Sequence, residues 1–169
     1  MSKDMTSLPQ LYIEPGYIYL PSAPINLYTV LGSCVAVCLW DKKLKIGGMN
    51  HFLYPKAPSK AKATLYYGNI ATLQLIQMME KAGSEKKSLL AQIVGGGDPP
   101  FETNNHSIGK SNIEIARKIL INKGIKIVSE DVGGTMGRKI VFNTYTGHMI
   151  VLKVYQIRKD DWILKLPEQ

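Results

Sequence analysis

The sequence predicts an α/β domain, a layered sandwich in which helices pack against a mostly antiparallel or mixed sheet. Three observations point to it. Short apolar runs rich in β-branched and aromatic residues recur at 11–20, 25–31, 34–40, 47–54, 89–94, 125–132, 138–142 and 149–154, which are strand lengths. Two longer stretches, 69–82 and 111–123, carry helix signals instead. Turn chemistry separates the runs, as at Pro21-Ser22-Ala23-Pro24, Gly133-Gly134 and Thr146-Gly147.

Taken in order, the two N-terminal runs are strands divided by the Pro21 to Pro24 break, and the next two form a hairpin across the polar Asp41-Lys42-Lys43-Leu44-Lys45. A turn centred on Lys42-Lys43 sets Cys34 directly opposite His51. Opposite side chains share a face, with Cβ atoms about 4.5 to 5.5 Å apart. Register decides the matter, because a slip of one residue turns every side chain to the other face. Over 69–82, Ile70, Leu73, Ile76 and Met79 form an apolar stripe, Gln74, Gln77 and Lys81 fall elsewhere, and Gly83 caps the end. The strand at 89–94 runs into Gly95-Gly96-Gly97-Asp98-Pro99-Pro100, and the polar 101–110 reads as a loop. Ser111-Asn112-Ile113-Glu114 fits a capping box, which starts the second helix at Ser111 and carries it to Lys123, before Gly124. Three further strands complete the set.

A chain of 169 residues, 45% hydrophobic and without a Pro/Gly/Ser-rich linker, suits a single domain over 1–169, with 1–10 and 160–169 as tails. The first ten residues lack the layout of a signal peptide, and no apolar run approaches the roughly 18 residues of a membrane span. The expectation is a cytoplasmic protein with no membrane insertion. Cys34 and Cys38 lie about 13 Å apart along a strand, too far for a disulfide, so both thiols should be reduced. The net charge of +8 favours an acidic partner. The lysines fall in ones and twos, as at Lys56, Lys60, Lys62 and Lys86-Lys87, which suits a solvated basic surface and gives no nucleic-acid site.

Chemistry concentrates at Leu31-Gly32-Ser33-Cys34 and Asn50-His51. A thiol beside an imidazole is the minimum equipment for thiol catalysis, since the imidazole can take the thiol proton and leave a strong nucleophile. The turn at Gly32-Ser33 frees backbone N–H groups of Ser33 and Cys34 to hold an oxyanion. Thr29, on the preceding strand, is available to orient His51. Cys38 reads as a small buried hydrophobe. No metal or other cofactor is expected: an extended strand holds Cys34 and Cys38 too far apart to share an ion, and His51, His106 and His148 form no metal-ligand pair. Gly95-Gly96-Gly97 lacks the lysine of a phosphate loop. Tyr54, Tyr66 and Tyr67 near the Lys56 to Lys62 segment read as packing tyrosines rather than base-stacking platforms.

These residues resemble the CheD family of chemoreceptor glutamine deamidases. The resemblance rests on Thr29-Val30-Leu31-Gly32-Ser33-Cys34-Val35-Ala36-Val37-Cys38-Leu39-Trp40-Asp41, Gly47-Gly48-Met49-Asn50-His51-Phe52-Leu53-Tyr54-Pro55, Tyr67-Gly68, Ile108-Gly109 with Asn112, and Asp131-Val132-Gly133-Gly134 with Gly137-Arg138-Lys139. It implies a hydrolase that converts selected glutamines of methyl-accepting chemotaxis receptors to glutamate through a thiolate and a thioester. Cys34 matches the nucleophile, His51 the general base and Thr29 the third active-site position. The family's fold is a layered α/β domain related to toxin-type cysteine deamidases, and the family implies a CheC-type phosphatase as a second partner. Tyr66 and Gly95 to Pro100 depart from the usual pattern. A thiol amidase or transglutaminase-like enzyme is the rival within catalysis. The rival from another class is a regulatory module that binds a CheC-type phosphatase and chemoreceptors, without turnover or alongside it.

Overall fold

Residues 35–40 are apolar without alternation, so a strand there needs cover on both faces. The computed structural model, which describes residues 7–98 and 107–157, supplies that cover. Among the described residues the strands are β1 (Gln10–Tyr12), β2 (Ile18–Tyr19), β3 (Asn26–Leu31), β4 (Val35–Asp41), β5 (Ile46–Asn50), β6 (Leu89–Gly95), β7 (Lys126–Val132), β8 (Gly137–Asn143) and β9 (Met149–Val154), and the α-helices are α1 (Gly68–Lys81) and α2 (Ile108–Asn122). One sheet runs β2-β5-β4-β6-β7, with β4 at its centre, and the other runs β1-β3-β8-β9. Val35, Val37 and Leu39 pack with Leu75 and Met79 of α1 and Ile113 and Leu120 of α2. Ala36 and Cys38 face the other way, onto Leu27, Leu31, Ile140 and Phe142 of the second sheet. The layers are therefore helices, five-stranded sheet and four-stranded sheet, which is the α/β sandwich the sequence predicts. Both sheets are mixed: β1 with β3 and β6 with β7 are parallel, and the other pairs are antiparallel. The β6-α2-β7 crossover is the connection a parallel pair requires.

Four local expectations are corrected. The predicted strand at 11–20 is two strands in different sheets. Pro15-Gly16 breaks it, Gly16 adopting a φ of +85°, so that β1 pairs with β3 and β2 with β5. The hairpin turn is also wider than predicted. Asp41 Oδ1 accepts the Lys43 and Leu44 N–H groups at 2.7 and 2.9 Å, and Lys45, at φ 57°, donates its N–H to the Asp41 carbonyl at 2.9 Å. Asp41 consequently pairs with Ile46, Cys38 with Met49 and Val35 with Phe52, which sets Ala36 rather than Cys34 opposite His51. This slip of two residues preserves the faces, so Cys34 remains a diagonal neighbour of His51 on the same side of the sheet.

The buried face of α1 centres on Ala71, Thr72, Leu75, Ile76 and Met79, while Ile70 and Leu73 are only half-buried. A stripe spaced by three residues drifts around a helix of 3.6 residues per turn, and Leu75 belongs to the true face. The second helix starts before the predicted capping box. Ser107 is its N-cap, accepting the Lys110 N–H at 2.9 Å, and its hydroxyl in turn donates to Asp98, so Ser111 lies inside the first turns. Of the predicted tails, residues 1–6 and 160–169 lie outside the described residues, as do residues 101–106 of the predicted loop; Gln10 already belongs to β1.

Candidate active site

Gly32, Ser33 and Cys34 carry the chain from β3 in one sheet to β4 in the other. The carbonyls of Cys34 and Gly32 accept the N–H groups of Gly96 and Gly97 at 2.8 and 2.9 Å, which ties this turn to the end of β6. Gly95 has a φ of +108°, and a Cβ there would collide with the Cys34 carbonyl oxygen, so only glycine fits. The glycine run that looks idle in the sequence thus shapes the cysteine turn. From the helical layer, the fully buried Asn112 donates through Nδ2 to the Ser33 carbonyl at 2.9 Å and the Leu53 carbonyl at 2.8 Å. One side chain of α2 therefore joins the turn before Cys34 to the segment after His51.

His51 stands just past β5, where the ladder to β4 opens. Asn50 Oδ1 takes the Val37 N–H at 2.8 Å. The His51 backbone turns to the opposite side, donating its N–H to the Tyr17 carbonyl at 3.1 Å and accepting the Gly16 N–H at 2.8 Å. Its ring is fully buried, with Nδ1 2.9 Å from Thr29 Oγ1 and 3.2 Å from the Ile13 carbonyl. The Thr29 hydroxyl donates to that same carbonyl at 2.6 Å. With its hydrogen committed, Thr29 offers His51 only a lone pair, and a carbonyl can only accept. Both neighbours therefore require the proton on Nδ1. The lone pair is left on Nε2, which is buried and has no hydrogen-bond partner among the described residues.

Burial holds the ionisation of this pair back. The Cys34 thiol, 8% exposed, is pushed up to about 11 by desolvation, against the N–H groups of Cys34 itself and Gly32, which favour its thiolate. Desolvation presses His51 down to about 4, against the Ile13 carbonyl, which favours the imidazolium. At neutral pH the site therefore rests as a thiol and a neutral imidazole. Cys38 is a free thiol held protonated by complete burial.

Of the residues predicted from sequence, Thr29 is hydrogen-bonded to the His51 imidazole, and Cys34, just before β4, is a diagonal neighbour of His51 across the β4–β5 pair. Ser33 has its carbonyl on Asn112 and lines, with Gly32, Gly97, Met136 and Ile157, a cavity of about 260 Å³ beside the cysteine turn. Arg138, buried, donates to Asp131 Oδ1 and to the carbonyls of Gly133 and of Met136, the last a residue of the cavity lining. Asn112, Asn50 and the Ile13 carbonyl were not found from spacing, since nothing in a linear sequence marks which polar group will meet a buried turn. Among the described residues no cluster of His, Cys, Asp or Glu is placed to hold a metal ion, and no helix is long and apolar enough to cross a membrane.

A family model described as CheD chemotactic sensory transduction matches residues 54–153. A protein of Sulfurimonas denitrificans named probable chemoreceptor glutamine deamidase CheD is 43% identical over 147 residues, covering 86% of this chain and 94% of that protein. Proteins of the same name from Trichlorobacter lovleyi and Rhodospirillum rubrum are 38% and 39% identical, covering 88% and 87% of this chain and 93% and 84% of their own lengths.

Proposed function

The chain belongs to the CheD family, and from that membership and the site's geometry we propose that it is a single-domain protein-glutamine deamidase acting on cytoplasmic helices of methyl-accepting chemotaxis receptors. The observation that carries this reading is the imidazole of His51, fixed through Nδ1 by Thr29 and Ile13 and left with a free Nε2 on the same side of the sheet as the Cys34 thiol.

Nε2 of His51 takes the Cys34 proton as Sγ bonds to the carboxamide carbon, and the carbonyl π pair moves onto oxygen. Backbone N–H groups at the Gly32 to Cys34 turn stabilise that oxyanion. The oxyanion collapses, the C–N bond breaks, and the imidazolium gives its proton to the departing ammonia. Water, deprotonated by the same Nε2, then attacks the thioester, and glutamate and the Cys34 thiol are released. Thr29 keeps the ring oriented and stabilises the imidazolium that forms in each half-reaction. The net positive charge favours approach to an acidic receptor surface.

The test is a chemoreceptor cytoplasmic fragment incubated with the protein in the presence of hydroxylamine. Interception of a thioester gives glutamyl hydroxamate alongside glutamate at the same positions. Glutamate formation with no hydroxamate at any hydroxylamine concentration would count against the covalent route, and the absence of either product would count against the deamidase.

A further inference from the structure

The chain segments that hold His51 also build a cleft of their own. The His51 N–H donates to the Tyr17 carbonyl at 3.1 Å, and the His51 carbonyl accepts the Gly16 N–H at 2.8 Å. Two residues on, the Leu53 and Tyr54 N–H groups both donate to the Tyr66 carbonyl, at 2.9 and 3.0 Å. Gly16, Tyr17 and Tyr66 are thus all tied to the backbone of residues 51–54. Here lies a cleft of about 320 Å³, lined by Tyr12, Glu14, Pro15, Tyr17 and Tyr66.

The walls are fixed within the protein. Gly16, at a φ of +85°, leaves room that Tyr66 takes up: a Cβ there would fall 2.7 Å from Cε1 of the ring. Tyr12 stands edge-on to Tyr28, with centroids 5.3 Å apart and planes at 62°. Tyr17 and Tyr66 nevertheless remain 59% and 45% exposed, so both rings can receive a partner. The lining contains no basic side chain, and no salt bridge among the described residues engages Glu14.

That composition selects a ligand. Aromatic faces carry negative partial charge, and the carboxylate adds a full one, so the cleft attracts a cation and repels an anion. The net charge of +8 opposes a cation at long range, which leaves contact within the cleft to hold it. The volume stands at the lower end of the roughly 300–1,000 Å³ of small-ligand sites, enough for one side chain and too little for a helix.

Resting on the deamidase reading, we infer that this cleft is a subsite for a cationic side chain, arginine or lysine, carried by the substrate on the same segment as the target glutamine. Since the cleft and His51 share one backbone clasp, a basic residue seated between the tyrosines sets the register of the substrate helix against the imidazole. The choice among glutamines then depends on a basic neighbour as well as on the carboxamide.

The experiment has a binding arm and a turnover arm. In the first, Nα-acetyl-arginine amide is titrated into wild type and Glu14→Gln, with the backbone amides of Gly16, Tyr17 and Tyr66 followed by NMR. Nα-acetyl-norleucine amide serves as the uncharged comparison. The arginine probe should move these resonances, with a Kd about fivefold weaker in Glu14→Gln, and the norleucine probe should not. In the second arm, both proteins act on a chemoreceptor cytoplasmic fragment and on a version whose Lys and Arg within two helical turns of the modified glutamine are replaced by Ala. Either change should raise KM about fivefold with kcat within twofold, and the two together should cost no more than one. No shift with arginine, equal binding by Glu14→Gln, or equal binding of norleucine overturns the inference. So does a KM indifferent to Glu14 or to the basic neighbours, or a modified glutamine that has none. A wild type that binds the arginine probe but forms no glutamate overturns the deamidase reading and the substrate assignment with it, while the cation site itself stands.

Discussion

Thr29→Val keeps the branched shape of a side chain that is buried on β3 and deletes the hydroxyl that joins Ile13 to His51. Two hydrogen bonds disappear, the 2.6 Å donation to the Ile13 carbonyl and the 2.9 Å contact with Nδ1. Neither partner is stranded, because Nδ1 still lies 3.2 Å from the Ile13 carbonyl. The stability cost is therefore that of lost bonds rather than of orphaned groups, about 1–2 kcal/mol. For a chain of this size that lowers Tm by about 2–8 °C. The catalytic cost is larger. The ring keeps one weak tether, its orientation and tautomer loosen, and the acid–base contribution of about 10²–10⁴ is exposed to loss. We expect kcat/KM to fall by about 10²-fold while the protein remains folded at room temperature, with Thr29→Ser recovering most of the activity. The assay pairs thermal unfolding with glutamate formation on a receptor fragment, and ¹⁵N NMR of the imidazole reads the tautomer. A Thr29→Val variant with wild-type kcat/KM would refute the orienting role, as would a wild-type imidazole carrying its proton on Nε2.

Other consequences can be measured on the same preparations. Because His51 is lowered from 6.5 to about 4 in the folded protein, its contribution to stability is present above pH 6.5 and is lost as pH falls towards 4, by up to about 3 kcal/mol. Urea unfolding across that window should show the loss in wild type and not in His51→Gln. With the Cys34 thiol at about 11, iodoacetamide alkylation of the free protein should be slow at pH 7 and still rising at pH 10; a plateau by pH 8 would contradict a buried, neutral thiol. Asn112→Ala removes the donor shared by the Ser33 and Leu53 carbonyls and should cost about 2–3 kcal/mol in chemical denaturation. Asn112→Asp should cost at least as much, since a carboxylate oxygen then faces a carbonyl. In both variants activity should fall further than stability alone explains, because the turn that carries Cys34 is released.

Much of this architecture is legible in the linear sequence because the decisive patterns are local. The unbroken apolar run of β4 announces a strand covered on both sides, and its odd and even residues do divide between the helical core and the inter-sheet core. The pairing of Cys34 with His51 came from the hairpin pattern with an error of two residues, which an Asp41-centred turn explains. That error was harmless because strand faces repeat every second residue. The split of 11–20 between two sheets was not legible, since it depends on which partner strands are free to accept Tyr17 and Ile18. Nor was the clasp by Asn112, whose partners Ser33 and Leu53 are remote in sequence and offer only backbone carbonyls. The capping-box pattern at Ser111 competed with Ser107, and the contact with Asp98 decided in favour of the latter.

The most direct test of the central claim is peptide mass spectrometry of a glutamine-bearing chemoreceptor cytoplasmic fragment after incubation with wild type and with Cys34→Ala. Site-specific conversion of glutamine to glutamate by wild type alone is the predicted result, with Cys34→Ala folded, binding the fragment and inert. Conversion by both proteins would contradict the assignment of Cys34, and conversion by neither, with binding intact, would contradict the deamidase and leave a regulatory module that binds receptors without turnover.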